Sequence, residues 1–321
     1  MLFICSIVTA KRRTSPSSDT DSSKMPRAFI AAALLAAFAL RTPEAAILTP
    51  VDHLANWLPA LQTNNIVESL NFCEHCVCGI SHRTKIVNGD ITSFDEFSWA
   101  VQIKYNNKHH CGGSLITSRH ILTAAHCIEE FDQKLFSVHL ADNATYRIKS
   151  FTVHENYNYY SDDNDVAIIE LARPVRLDGA IKTVCLPNKT TFKYSGMTGV
   201  AIGWGRLGYN EPISEHLRKV DLPIMSKTEC LRSQYPKSRV TDNMFCAGYH
   251  EGGRDSCRGD SGGPLHVRND DDAMEIVGIV SFGEECAKKN YPGVYTKVTN
   301  YLEWIGKQLK NECLCSPPQY R

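Results

Sequence analysis

Long apolar runs are missing from this chain. The longest, Ala28–Leu40, is alanine-rich and falls short of the ~20 residues a membrane-spanning helix needs. An excess of either charge is also missing. Lys plus Arg and Asp plus Glu both number 35, so the formal net charge is zero. That excludes a broad basic face for nucleic acid and a polybasic membrane patch. No internal repeat of fixed period is present. Helical periodicity is scarce too. Only Val298 to Lys310 (VTNYLEWIGKQLK) carries it, with Tyr301, Leu302, Ile305 and Leu309 on one face.

What is abundant is apolar residues, 43% of 321, and cysteine, 13 in all. The first implies a packed core and excludes a disordered chain. The second indicates an oxidising compartment. The N-terminus agrees. Lys24 and Arg27 precede the apolar run, and the small residues Ala45 and Ala46 follow it. Residues 1–46 therefore read as an N-terminal extension and secretory signal, cleaved near Ala46, with residues 1–24 an upstream extension of no structural role. An uncleaved signal anchor is the alternative. The protein is expected to be secreted and extracellular.

Residues 47–72 show no clear pattern. Residues 73–85, CEHCVCGISHRTK, are dense in cysteine and end in a basic cluster. From Ile86 the texture changes. Short runs rich in Val, Ile, Phe and Tyr (WAVQIKY, FSVHLAD, YRIKSFTV, VAIIEL, GVAIGWG, EIVGIVSFG, GVYTKV) alternate with turn signals. This spacing predicts an all-β domain over 86–321, a sandwich or barrel. The segment is long enough for two six-stranded antiparallel β-barrels with a C-terminal α-helix.

Three local signals in this segment point to chemistry. DSCRGDSGGP, Asp255 to Pro264, surrounds Ser261 with glycines; LTAAHC carries His126; DNDVAIIEL opens a strand at Asp165. A serine hydroxyl is a weak nucleophile near neutral pH and needs a base within hydrogen-bond reach. An imidazole can take the proton and return it. The imidazole in turn needs an acceptor for its other N–H. Each signal alone has a bland reading, a turn or a structural histidine. Together they are specific.

LTAAHC, DNDVAIIEL, GWG, NMFCAG, DSCRGDSGGP, VSFG and PGVYTKV resemble the trypsin/chymotrypsin-like serine proteases over all of 86–310. The resemblance implies that Ser261 is the nucleophile, His126 the general base and acid, and Asp165 its orienter. The N–H groups of Gly259 and Ser261 would form the oxyanion hole. Asp255 would floor the primary specificity pocket, with Ser256 beside it and Gly283 and Gly293 as its walls. Ser281 to Gly283 would pair with the substrate backbone. Only Arg or Lys is long enough to reach such a floor, and an Arg fork can bind both oxygens. Phe282 stands where the family more often has Trp. Glu284 and Glu285 beside the mouth would favour further basic substrate residues, and Arg258 flanks the oxyanion loop.

The family's activation step maps onto RTKIVNG. A cut after Lys85 would make 47–85 a pro-segment or light chain and free the amino group of Ile86, which would pair with Asp260 and set the oxyanion loop. The resemblance also implies the bridges Cys111–Cys127, Cys230–Cys246 and Cys257–Cys286. A further family bridge is lost at both ends, at Gly199 and Val267. Cys73, Cys76 and Cys78 then face Cys185, Cys313 and Cys315, which suggests a triple tether with Cys78–Cys185 as one member; the pairing stays open. A zinc site from the 73–78 cluster with His75 or His82 is the rival. Asn143 and Asn188 lie in glycosylation sequons. No metal, calcium, sodium or cofactor is expected. The expected partners are protein or peptide substrates with Arg or Lys, an activating trypsin-like protease and proteinaceous inhibitors, with no nucleic acid and a monomeric state. The competing function is a catalytically inactive homologue acting as a binding or regulatory protein, against which the intact His126, Asp165 and Ser261 argue.

Overall fold

The computed structural model describes residues 70–81, 91–142, 144–177, 179–188, 190–310 and 312–318. All lie in one of the chain's two units, Gln62–Arg321. The expected signal at 1–46, most of the 47–85 segment, Lys85, Ile86 and Asn143 lie outside the described residues.

The first sheet draws on β2 (Ala100–Tyr105), β3 (Lys108–Leu115), β4 (His120–Thr123), β5 (Phe136–His139), β6 (Thr145–Tyr146), β7 (Ile148–Val153) and β8 (Ala167–Leu171). Its order is β6-β5-β2-β3-β4-β8-β7, antiparallel throughout. The second draws on β9 (Thr198–Gly203), β10 (Arg218–Pro223), β11 (Met244–Ala247), β12 (Pro264–Arg268), β13 (Met274–Phe282) and β14 (Gly293–Lys297), in the order β10-β9-β12-β13-β14-β11. The architecture is therefore two antiparallel barrel-like sheets, as expected. The first has seven strands, not six, because the two-residue β6 adds an edge.

Local pattern explains most elements. In β5, FSVH, side chains alternate between core and surface, the period-two signature of a half-buried strand. Among the described residues the α-helices are a single turn, α1 (Lys227–Cys230), and α2 (Leu302–Leu309). Helix α2 buries Leu302, Trp304, Ile305 and Leu309. It is shorter than the periodic stretch. Val298–Asn300 forms a 3-10 turn, and Lys310 ends the helix by entering positive φ (55°).

A third sheet was not foreseen. The strand β1 (Phe72–Val77) pairs in parallel with β15 (Leu314–Ser316). Two disulfides, Cys73–Cys313 and Cys76–Cys315, rivet this pair. A third, Cys78–Cys185, joins the same segment to the body of the domain. With all three thiols of the 73–78 cluster oxidised, no thiolate remains there for zinc, and the zinc alternative falls. Cys111–Cys127, Cys230–Cys246 and Cys257–Cys286 are also bonded.

Beside the lost family bridge lies a buried polar contact. The indole N–H of Trp99 donates to His266 Nε2 at 2.8 Å, and His266 Nδ1–H donates to the Val200 carbonyl at 3.1 Å. Phe97 stacks on the imidazole, ring centroids 5.5 Å apart. Val200 and His266 adjoin Gly199 and Val267, so hydrogen bonds tie β9 and β12 where the cystine is absent. The ring is fully buried and held neutral, its pKa pushed down to about 3 by burial. In the unfolded chain an imidazole titrates near 6.5. Below that pH the unfolded state takes the proton first, so stability falls as pH drops from about 6.5 toward 3. Urea unfolding is expected to lose about 2 kcal/mol between pH 7.5 and pH 5 from this ring. His266→Gln should flatten that dependence; an equally steep profile in the variant would refute the assignment.

Candidate active site

The two sheets bring the sequence signals to one seam. His126 sits in the 3-10 turn Ala125–Cys127 that follows β4. Asp165 lies two residues before the start of β8 and is fully buried. Ser261 lies in the turn leading into β12. Its carbonyl accepts from the Gly112 N–H of β3 at 2.8 Å, which pins the serine turn of the second sheet to the first.

Asp165 is held from several sides. His126 Nδ1–H donates to its Oδ2 at 2.8 Å and the His126 backbone N–H to its Oδ1 at 3.0 Å. Ser281 Oγ–H donates to Oδ2 at 2.6 Å, and Thr296 Oγ1–H to the Asp165 carbonyl at 2.9 Å. Burial opposes the charged form of both partners. The attraction and hydrogen bonds between them outweigh it, so the imidazole is raised and the carboxyl lowered from their ordinary values. The Asp162 carboxylate adds to the upward push on His126.

Nε2 of His126 lies 3.7 Å from Cys127 Sγ and makes no hydrogen bond to Ser261. Imidazole–nucleophile bonds of this kind commonly tighten only when substrate is in place. The Gly259 backbone has φ +100°, a region that glycine enters without steric cost. His109 Nε2–H donates to the Gly259 carbonyl at 2.7 Å and fixes the loop from behind.

A cavity of about 190 Å³ runs from Ser261 down to Asp255, between Val280–Gly283 and Gly293. The floor carboxylate takes the Ala287 N–H on Oδ2 at 3.3 Å. Its Oδ1 is shut off from solvent and accepts no hydrogen bond of good geometry from the described residues, although the nearby Ser256 and Gly293 N–H groups offset part of the effect of burial. Burial raises this carboxyl to about 7. Gly293 matters because a Cβ there would stand 2.7 Å from Asp255 Oδ1 and close the floor. Ser256 Oγ lies 2.9 Å from the Tyr295 hydroxyl beside the cavity. Glu285 pairs with Lys288 at 2.7 Å, which offsets the negative rim expected from Glu284 and Glu285.

Asp260 points the other way, into a cavity of about 270 Å³ bordered by Gly203, Gly205 and Arg218. Its Oδ1 accepts the Gly205 N–H at 2.7 Å and its Oδ2 the Cys257 N–H at 2.9 Å. Burial raises its pKa. Asn188 is exposed. Sequence reading missed the second role of Ser281, and also Thr296 and His109. No local motif marks them, since each acts through a partner more than a hundred residues away.

A serine, an imidazole–carboxylate pair and a glycine-turned loop gathered at the seam of two antiparallel barrel-like sheets are the arrangement of a serine protease. Residues 86–305 match the trypsin family model, and the chain belongs to that family. Among its relatives, it is 36% identical over 254 residues to the clotting factor G beta subunit of Tachypleus tridentatus, covering 73% of this chain and 82% of that one. It is 37% identical over 240 residues to a venom protease of Bombus pensylvanicus, covering 68% of this chain and 96% of the relative. With transmembrane protease serine 11G of Rattus norvegicus it shares 33% over 258 residues, 77% of this chain but only 62% of that protein's length. Among the described residues no helix is long and apolar enough to cross a membrane.

Proposed function

We propose that the protein is a secreted endopeptidase that cleaves after Arg or Lys and is made as a precursor activated by a cut after Lys85. The observation that carries this reading is the buried Oδ1 of Asp255, which accepts no well-formed hydrogen bond from the described residues, at the end of a narrow cavity. A buried carboxylate oxygen left short of hydrogen bonds is costly, and an entering guanidinium or ammonium supplies them.

In the reaction, Asp165 holds His126 with Nδ1–H inward, so Nε2 takes the proton of Ser261 Oγ as that oxygen attacks the scissile carbonyl. The N–H groups of Gly259 and Ser261 receive the developing oxyanion, each worth roughly 3 kcal/mol of transition-state stabilisation. His126 then protonates the leaving amine, and water, activated by the same ring, releases the acyl group. The Ile86 ammonium freed by activation would enter the cavity beside Asp260 and replace the cost of its burial with an ion pair. Three disulfides would keep the light chain attached after the cut. Protein substrates, an activating protease of like specificity and proteinaceous inhibitors are the partners this reading implies, with the enzyme acting as a monomer.

The test is an arginine-ester assay on the purified chain before and after limited trypsin treatment. Wild type should gain esterase activity as the new N-terminus Ile86 is found by sequencing. Lys85→Gln should stay folded and silent. Full activity of the uncut variant would remove the activation step, and ester hydrolysis confined to apolar esters would remove the specificity.

A further inference from the structure

A charged bridge crosses the seam just outside the cavity. Arg239, in the loop between α1 and β11, reaches to the loop that precedes Asp165. One terminal nitrogen donates to the Ser161 carbonyl and the other to Asp162 Oδ2. Its guanidinium carbon stands over the Phe282 ring, 3.8 Å from the centroid. Tyr235 packs edge-on against the same ring, centroids 5.8 Å apart. The remaining N–H groups of Arg239 have no partner among the described residues, and its side chain keeps 28% of its exposure.

Geometry gives this bridge a place on the substrate path, resting on the reading proposed above. A peptide whose cleaved residue enters the Asp255 cavity runs along Ser281–Gly283 as an added strand. Side chains of an extended chain alternate. The residue just before the cleaved one therefore turns away from the cavity. The residue three before the cleaved one repeats that side, two positions and ~6.6 Å further on. There the Phe282 ring would offer a flat apolar seat, but Arg239 covers it. An aromatic substrate side chain would have to displace a guanidinium bound at three points. A carboxylate meets the guanidinium N–H groups that Ser161 and Asp162 leave over.

We propose that Arg239 is a specificity-determining residue that selects an acidic substrate side chain three residues before the cleaved Arg or Lys and turns away aromatic ones. Asp162 positions it.

The activated enzyme is assayed on coumarylamide tetrapeptides Xaa-Ala-Ala-Arg, with Xaa Glu, Phe, Lys or Gly, each rate taken relative to the same variant's Gly peptide. Wild type should prefer Glu over Phe by up to about fivefold in kcat/KM, mostly through KM, the scale of a part-exposed ion pair. Arg239→Ala should reverse that order, because the bared ring accepts Phe. Arg239→Glu should move the preference to Lys. An unchanged Glu-to-Phe ratio in both variants would overturn the proposal, as would a wild-type preference for Phe. Should the variants fail to fold, the wild-type preference for Glu must fade as salt rises; a salt-independent ratio overturns it equally. If the wild type leaves the Gly peptide uncut, the Arg/Lys reading fails and this proposal with it. A cleaved Gly peptide without Glu preference removes this proposal alone.

Discussion

Asp255→Ser is expected to lower kcat/KM on arginine esters by about 10²- to 10⁴-fold. Removing one member of a buried ion pair costs about 3–5 kcal/mol, and each 1.36 kcal/mol is tenfold. Hydrolysis of a leucine or phenylalanine ester should fall far less, because the apolar wall of Val280 is untouched. The same carboxyl sets a pH dependence. Burial holds it near about 7, and a bound cation requires it ionised. Benzamidine affinity should therefore decline about tenfold per pH unit below that value. At pH 6 binding should release about one proton, measurable by calorimetry in buffers of different ionisation enthalpy. Affinity that stays flat from pH 8 to pH 5, or equal losses on all esters in the variant, would sink the assignment of Asp255 to the cation.

Asp165→Asn should cut kcat by about 10⁴-fold, the scale seen when a trypsin-type orienting carboxylate becomes an amide and the wrong imidazole tautomer is held. The fold should survive, since Asn keeps the volume and can still accept from the His126 backbone N–H. The pH profile carries the second reading. In the wild type, activity rises as His126 loses its proton. Asp165 raises that group against the opposing effect of burial, so the acid limb should lie above 6.5. In the variant the charge is gone and burial acts unopposed by it, so the limb should move to lower pH. A variant with an unmoved limb would mean that another group limits the wild-type rate.

Much of the fold was legible because strands speak locally. VAIIEL, GVYTKV and EIVGIVSFG are dense in β-branched residues and became β8, β14 and β13. β10, RKVDLP, was harder: its residues are mostly charged or half-exposed, and it is a strand because β9 offers it an edge from Thr198 to Gly203. The parallel pair β1–β15 had no signature at all. Six and three residues are too few to show periodicity, and what pairs them is a set of cystines that close loops of more than two hundred residues. Ser281 shows the same division within the site. The sequence offers its backbone as a strand for substrate, while its hydroxyl is committed to Asp165, 116 residues away.

What the sequence by itself determined are groups whose chemistry is carried by one short segment: the glycine-turned serine of Asp255–Pro264, the histidine beside Cys127, the aspartate before a buried strand, and an all-β texture. Those depend on residue type and near neighbours, which the chain states outright. Tertiary structure alone decided how those groups are charged and held. Only folding buries Asp255 Oδ1 without a well-formed hydrogen bond, makes His266 a neutral link to Trp99, and lays Arg239 on Phe282 against Asp162. Each of these depends on which distant atoms share a low-dielectric interior, and electrostatic energy there follows distance through space, not separation along the chain.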